Sequence, residues 1–384
     1  MPNKQTYIKD VHLSGYKSIK NVNCDFEEGL NIIIGNNGSG KSNLLEFIYK
    51  VLERDYSGLD EFKAEINISD DLLKRLSKKE YFSWNVEGRF PKTNDSFKNL
   101  KVELIKEPDI IANVYVEFVR FNLAADIGIL AKEFNAKYNH KEKRFHHPQD
   151  EENIPLILTI WLISFFNKTI QRDIDNINEL TDSYLYSSLN ESFNILFPNI
   201  RKNLLRYTPI EDLRFSNAVR TTRVDSSTLE FRNIVFEYKI NNEWFAWSAL
   251  SDGTRRLIYT IFITGEGTLN EGANPNYKFE PIALVDEPEI GIHPHQLHSL
   301  LDFFKDQSKE QQIIITTHSP QVLDIIGAEE LNKIIIAEID YENGTVLRHL
   351  NSDEMQKAQS YLKDEGLLSD YWRFSDLQRS KKAK

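Results

Sequence analysis

The sequence predicts an α/β fold with a mixed β-sheet and an inserted, mainly helical region, and three observations carry that reading. The apolar run Leu30–Ile34 leads into GNNGSGKS at residues 35–42 and then into an amphipathic stretch that runs through Leu52. A second apolar run at residues 281–287, PIALVDE, ends in two acids. A third, at residues 312–316, ends in Thr317 and His318 within IIITTHSP. Short apolar runs of this kind read as buried parallel strands whose C-terminal ends meet a ligand.

Taken in order, residues 7–26 alternate apolar and polar side chains around Gly15, which predicts two short strands joined by a turn. Residues 57–120 mix charge with β-rich runs at 101–105 and 114–120, so further strands are expected beside the core. From 123 to 197 the pattern reads as helical. Within it, residues 137–153, KYNHKEKRFHHPQDEEN, carry mixed charge and a proline and read as an exposed connection. His140, His146 and His147 lie there without the carboxylate or cysteine pattern of a metal site, so a solvated loop is expected. Sequence rich in β-formers returns after Asp225 and continues through Tyr238. The division expected is an N-terminal lobe at 1–56, inserted strands and helices at 57–225, a C-terminal lobe at 226–345 and a helical tail at 346–384.

The spacing in GNNGSGKS satisfies G-x-x-x-x-G-K-[ST] between a strand and a helix. Glycines let the backbone N–H groups of Asn36, Asn37, Gly38, Ser39 and Gly40 curl around a phosphate that faces the positive end of a helix dipole. Lys41 is then placed to pair the β- and γ-phosphates, and Ser42 to ligate Mg²⁺. At the second strand end, Asp286 is the candidate for holding Mg²⁺, directly or through water. Glu287 beside it is the candidate for orienting and deprotonating an attacking water. His318, at the end of the third strand, can hydrogen-bond the γ-phosphate or that water. The segment LSDGTRRL at 250–257 sets Ser251 and Gly253 at a helix start, where free N–H groups can meet an anion and Ser251 can cap the helix.

Composition narrows the setting. A formal net charge of −11 argues against a protein that coats nucleic acid unaided, although a local basic groove at residues 141–144 or 201–206 stays open. The single cysteine, Cys24, cannot form an internal disulfide and favours a reducing, cytosolic compartment. No apolar stretch follows the N-terminus, so no secretory signal is expected. Residues 154–166 are the most hydrophobic stretch but too short for the ~20 residues that span a bilayer, and a buried helix is expected instead.

Taken together, GNNGSGKS, LSDGTRR, ALVDEPEIGIHP and TTHSP resemble the Walker A, signature, Walker B with D-loop, and switch-histidine motifs of ABC-type ATPases. The opening IKDVHLSGYKSIKNVNCDF and the form EPEIGIHP resemble the SMC, RecF and OLD branch more narrowly, without the TOPRIM nuclease that OLD proteins carry. The resemblance implies an ABC-type P-loop core, ATP and Mg²⁺ as ligands, and ATP hydrolysis to ADP and phosphate. It implies a nucleotide sandwiched in a homodimer or higher oligomer, with Ser251 and Gly253 completing a partner's site and Lys17 lying near the nucleotide in its own chain. It further implies a role in prokaryotic anti-phage defence or DNA repair, with a separate effector protein such as a nuclease, with DNA open as a partner and without a membrane partner. The signature reads LSDGT where transporters have LSGGQ, and the Q-loop position is sought within residues 117–122. A scaffold that binds nucleotide with negligible turnover is the alternative, which the acid at Glu287 and the histidine at 318 speak against.

Overall fold

The computed structural model describes residues 7–59, 61–69, 82–89, 103–106, 116–120, 134–139, 141, 144–146, 181–196, 198–264, 282–364 and 366–374. The chain divides into two compact units, one of residues 1–120, 274–290 and 300–384, the other of residues 121–273 and 291–299.

The first unit opens with β1 (Tyr7–Ser14), β2 (Val22–Asp25) and β3 (Leu30–Ile34), then helix α1 (Lys41–Leu52) and β4 (Glu61–Ser69), β5 (Phe82–Arg89), β6 (Glu103–Lys106) and β7 (Val116–Arg120). Strands β1 and β2 form the antiparallel hairpin that the alternation around Gly15 predicts, and they continue through β4, β5 and β6 into a five-stranded antiparallel sheet.

The second unit contributes β8 (Phe134–Asn139), β9 (Arg144–His146), α2 (Asp182–Leu196), α3 (Pro198–Tyr207), β10 (Asp212–Phe215), β11 (Arg220–Arg223), β12 (Thr228–Ile234), β13 (Phe236–Ile240), β14 (Glu243–Ala246) and α4 (Asp252–Thr264). They build two antiparallel sheets, ordered β11-β12-β8-β9 and β10-β13-β14. The helical reading of 123–197 holds at α2 and is corrected at 134–146, as is the reading of 137–153 as a connection, since β8 and β9 form a hairpin that pairs with β12. Their charged composition has a cross-strand reason: Lys137 faces Glu230 at 3.8 Å, while the adjacent Tyr138 is buried. Phe193, Phe215 and Phe236 form the aromatic centre of this unit, with Phe215 and Phe236 stacked at 4.2 Å between ring centroids. Of the three histidines, His146 is among the described residues, in β9; His140, His147 and residues 154–166 lie outside them.

The remaining elements are β15 (Ile282–Asp286), α5 (Pro294–Gln307), β16 (Ile313–Thr317), β17 (Ile334–Asp340), β18 (Gly344–His349), α6 (Ser352–Lys363) and α7 (Leu368–Phe374). A six-stranded mixed sheet of order β18-β17-β3-β16-β15-β7 centres the first unit, parallel except for the β17–β18 pair. Every residue of β3, β15 and β16 is buried, as expected of strands covered on both faces. Helix α1 places Leu44, Leu45, Phe47, Ile48 and Val51 into a core shared with residues of both sheets of this unit. Gln312 ties those sheets together, accepting from Ile8 N at 2.8 Å and donating to Ile8 O at 3.0 Å and Glu27 O at 3.1 Å. A buried amide satisfied on both its oxygen and its nitrogen fixes a register that apolar packing alone leaves open. No helix among the described residues is long and apolar enough to cross a membrane.

Candidate functional site

Three strand ends meet in the first unit. Strand β3 runs into the glycine-rich loop; β16, its parallel neighbour, ends in Thr317; and β15, the next strand, ends in Asp286. Because the three are parallel and adjacent, their C-terminal ends lie side by side, the general location of ligand sites in such sheets.

In the loop, Asn36, Asn37 and Gly38 are exposed while Ser39 and Lys41 are buried. Lys41 Nζ donates to the carbonyls of Gly35 at 2.8 Å and Asn36 at 3.0 Å, which arches the loop over its own lysine. Burial pulls this amine below the usual lysine value, and the charges of Glu287, Asp286 and Glu289 oppose that pull. Gly40 sits at φ 92°, and a β-carbon there would fall 1.9 Å from Thr345 Oγ1 and 2.6 Å from Ser18 Oγ, so both its left-handed backbone and its neighbours require glycine. Ser18 gathers this corner, accepting from Asn43 Nδ2 at 3.0 Å and from Thr345 Oγ1 at 2.8 Å.

Asp286 is buried, and its Oδ1 accepts from Ser42 Oγ at 2.8 Å and from Thr316 Oγ1 at 2.5 Å. Ser42 and Asp286, predicted as a metal pair, are thus in contact. Glu287 follows at φ 49°, a conformation a side chain bearing a β-carbon seldom adopts, with its N–H donating to Thr316 O at 2.9 Å. An outlier of this kind at a strand end costs about 1–3 kcal/mol, which the surrounding structure must supply. His318 Nδ1 lies 3.4 Å from Glu287 Oε1 and 3.3 Å from Glu289 Oε1.

The loop's polar groups fit a phosphate. Ser39 Oγ is buried with no hydrogen-bond partner. Helix α1 begins with neither a side-chain cap nor an acid in its first turn, leaving its N-terminal N–H groups and positive dipole end for an anion. The Ser42–Asp286 pair fits Mg²⁺, which takes one or two protein ligands and completes its shell with water and phosphate oxygens.

Lys17 is on the β1–β2 loop at φ 50°, and its Nζ pairs with Glu46 Oε2 of α1 at 3.0 Å while lying 4.8 Å from the centre of the Tyr16 ring. Tyr16 donates its hydroxyl to the other oxygen of Glu46 at 2.5 Å. This aromatic–basic pair is therefore docked on the helix that follows the loop. The Q-loop search region falls partly on β7, which pairs in parallel with β15 through Glu117 to Arg120; residues 121 and 122 lie outside the described set.

In the second unit, Ser251 caps α4, its Oγ accepting from Thr254 N at 3.2 Å and contacting Thr254 Oγ1 at 2.8 Å. Ser251 and Asp252 are exposed, and Gly253 is half-buried. Gln296 Nε2 donates to Thr254 Oγ1 at 3.2 Å, and its Oε1 would meet a β-carbon at Gly253 at 2.8 Å.

Sequence reasoning passed over Thr316, Glu289, Ser18 and Thr345. Thr316 carried a weak signal, a hydroxyl at the polar end of an apolar run. Glu289 looked like one more acid in a turn, and Thr345 belongs to a hairpin remote from every motif.

The fold is the ABC-type P-loop fold of SMC head domains, with the glycine-rich loop at the end of a central parallel strand. The family described as "AAA domain, putative AbiEii toxin, Type IV TA system" matches residues 30–324, and the chain belongs to it. Among relatives, Septu protein PtuA of Bacillus thuringiensis is 23% identical over 89% of this chain and 78% of its own. The DNA replication and repair protein RecF of Clostridium botulinum is 24% identical over 86% and 95%, respectively. The Retron Vc95 probable ATPase of Vibrio cholerae is 24% identical over 88% and 75%. Among solved structures, an Smc head bound to the C-winged helix domain of ScpA superposes with a TM-score of 0.54 at 17% identity, covering 91% of this chain and 99% of that one. The likeness to it is one of fold.

Proposed function

We propose that this chain is a Mg²⁺-dependent ATPase that forms a homodimer or higher oligomer through its ATP sites and uses binding and hydrolysis to hold and release an effector. The contact between Ser42 Oγ and Asp286 Oδ1 at 2.8 Å, made between residues 244 positions apart, carries the reading, because it brings the serine of the phosphate loop to the acid of a distant strand. Mg²⁺ held there would neutralise charge on the β- and γ-phosphates. Lys41 pairs those phosphates, and the N–H groups of residues 36–40 cradle them. Glu287, turned off its strand by its left-handed backbone, accepts the proton of the attacking water, and His318 contacts the water or the γ-phosphate. Ser251 and Gly253, at the exposed start of α4, complete the site of a partner copy. Lys17, through its ion pair with Glu46 on α1, is the basic residue beside the nucleotide in its own chain.

The setting of this reading is anti-phage defence or DNA repair, with a separate effector such as a nuclease and with DNA as an input; the likeness to a protein named for DNA replication and repair supports the second of these.

The test is ATP turnover and assembly size for wild type and Glu287→Gln, each with and without DNA. Loss of the general base slows turnover by about a hundredfold or more, and the variant is expected to accumulate as an ATP-loaded larger assembly. Absence of wild-type turnover with identical assembly sizes would replace this reading with the nucleotide-bound scaffold.

A further inference from the structure

Glu289 lies in the turn after β15, two residues beyond Glu287, and its side chain is 8% exposed. A single oxygen, Oε1, accepts from Thr317 Oγ1 at 2.5 Å, from His318 N at 3.1 Å and from Ser319 N at 3.2 Å. His318 Nδ1 stands 3.3 Å from the same atom. The other oxygen, Oε2, is buried and has no hydrogen-bond partner. An acid placed this way is costly, since an unsatisfied buried carboxylate oxygen forfeits its hydration. Burial accordingly pushes the Glu289 carboxyl above its ordinary value, against the pull of its hydrogen bonds and of His318.

The loop at 317–319 needs an acceptor, but an amide oxygen would serve the two N–H groups and the hydroxyl equally well. What an amide would not reproduce is the charge beside the imidazole. Nδ1 lies within ion-pair distance of two carboxylates, Glu289 at 3.3 Å and Glu287 at 3.4 Å, and ionised carboxylates only accept. Of the two, the Glu289 oxygen is locked by three donors, while the Glu287 side chain is 22% exposed.

We propose that Glu289 is a positioning residue that anchors the His318 loop and keeps the ring hydrogen on Nδ1, so that Nε2 is the nitrogen presented to substrate. In the neutral ring Nε2 is then an acceptor, suited to a hydrogen of the attacking water, and Glu287 is left to take the proton. Glu289 itself is too enclosed to meet water. This assignment rests on the role given to His318 above and divides two neighbouring acids into one that reacts and one that orients.

The test combines a spectrum with kinetics. Nitrogen NMR of histidine-labelled protein at alkaline pH, with His318→Gln identifying the resonances of His318, is expected to show Nε2 as the unprotonated nitrogen in wild type without nucleotide. Finding Nδ1 unprotonated overturns the proposal whether or not the protein turns over ATP, so this readout separates its failure from failure of the ATPase reading. Glu289→Gln, which keeps the shape and an acceptor oxygen, is expected to mix the two tautomers. Its turnover is expected to fall about ten- to hundredfold, the range found when the partner orienting a functional histidine is removed, with ATP affinity held within about twofold. An unchanged tautomer with unchanged turnover in this variant also overturns the assignment.

Discussion

The ends of β3, β15 and β16 and the start of α4 hold their polar groups in opposite ways. Around the strand ends Lys41, Asp286 and Thr316 are buried and bonded to one another or to backbone, and the three strands have no exposed residue. At the start of α4, Ser251 and Asp252 are exposed, and the serine's hydroxyl is spent on its own helix. One region is preorganised by the interior of its unit, so that its chemistry is determined by the fold. The other is finished only to the standard of a well-capped helix. That difference fits the proposal that the first part binds nucleotide within one chain and the second acts on another copy.

The sharpest way to break this contrast is Lys41→Met, which keeps most of the buried length and removes the charge. ATP affinity is expected to fall about a hundredfold or more, ~3 kcal/mol, measured by calorimetry; affinity within a few-fold of wild type would mean that the buried lysine is structural. Ser251→Ala probes the other region. It is expected to leave ATP affinity of the isolated chain unchanged while abolishing ATP-dependent assembly, and to cost about 1 kcal/mol of stability through the lost cap. Weakened nucleotide binding at concentrations where the protein is monomeric would erase the contrast.

The smallest effect concerns Glu289 and pH. Its raised carboxyl value means the folded protein holds a proton that the unfolded chain has released, so wild-type stability declines as pH rises from the ordinary carboxylate value through the raised one. Glu289→Gln lacks this penalty. Its melting temperature relative to wild type is expected to climb as pH rises above the ordinary carboxylate value while its turnover falls, and a flat difference there would place the loss elsewhere. Stability and activity moving in opposite directions is the signature of an orienting group kept at a cost to the fold.

The parts of the fold visible in the sequence were those with an uninterrupted local pattern. Leu30–Ile34, Ile282–Asp286 and Ile313–Thr317 are buried throughout because both faces are covered, and apart from Asn31 they are apolar up to the C-terminal ends, where the residues that line the site begin. The β8–β9 hairpin escaped because its exposed face carries Lys137 beside buried Tyr138, a short alternation diluted by charge on both sides. Strand β18, at the edge of the sheet, was hidden because it buries Thr345 and exposes Val346, the reverse of an apolar-in pattern. The site's supporting residues were the least legible. Nothing near Thr345 indicates that its hydroxyl lies against Gly40, and nothing around Glu289 marks it as more enclosed than Glu287. Such facts come from pairing between distant segments, which local pattern does not encode.

The position of β3 has a consequence for how the protein is made. Strand β3 appears early in synthesis, yet its neighbours on either side are β16 and β17, from residues 313–340. Until those segments leave the ribosome, the nascent chain carries Leu30–Ile34 as a hydrophobic strand without a sheet to enter, and the glycine-rich loop has no firm base. Closing a contact over so much chain is slow and exposes apolar surface meanwhile. Nucleotide binding is thus withheld from unfinished polypeptides, and messages truncated before β16 should yield products that depend on chaperones or are cleared by proteases.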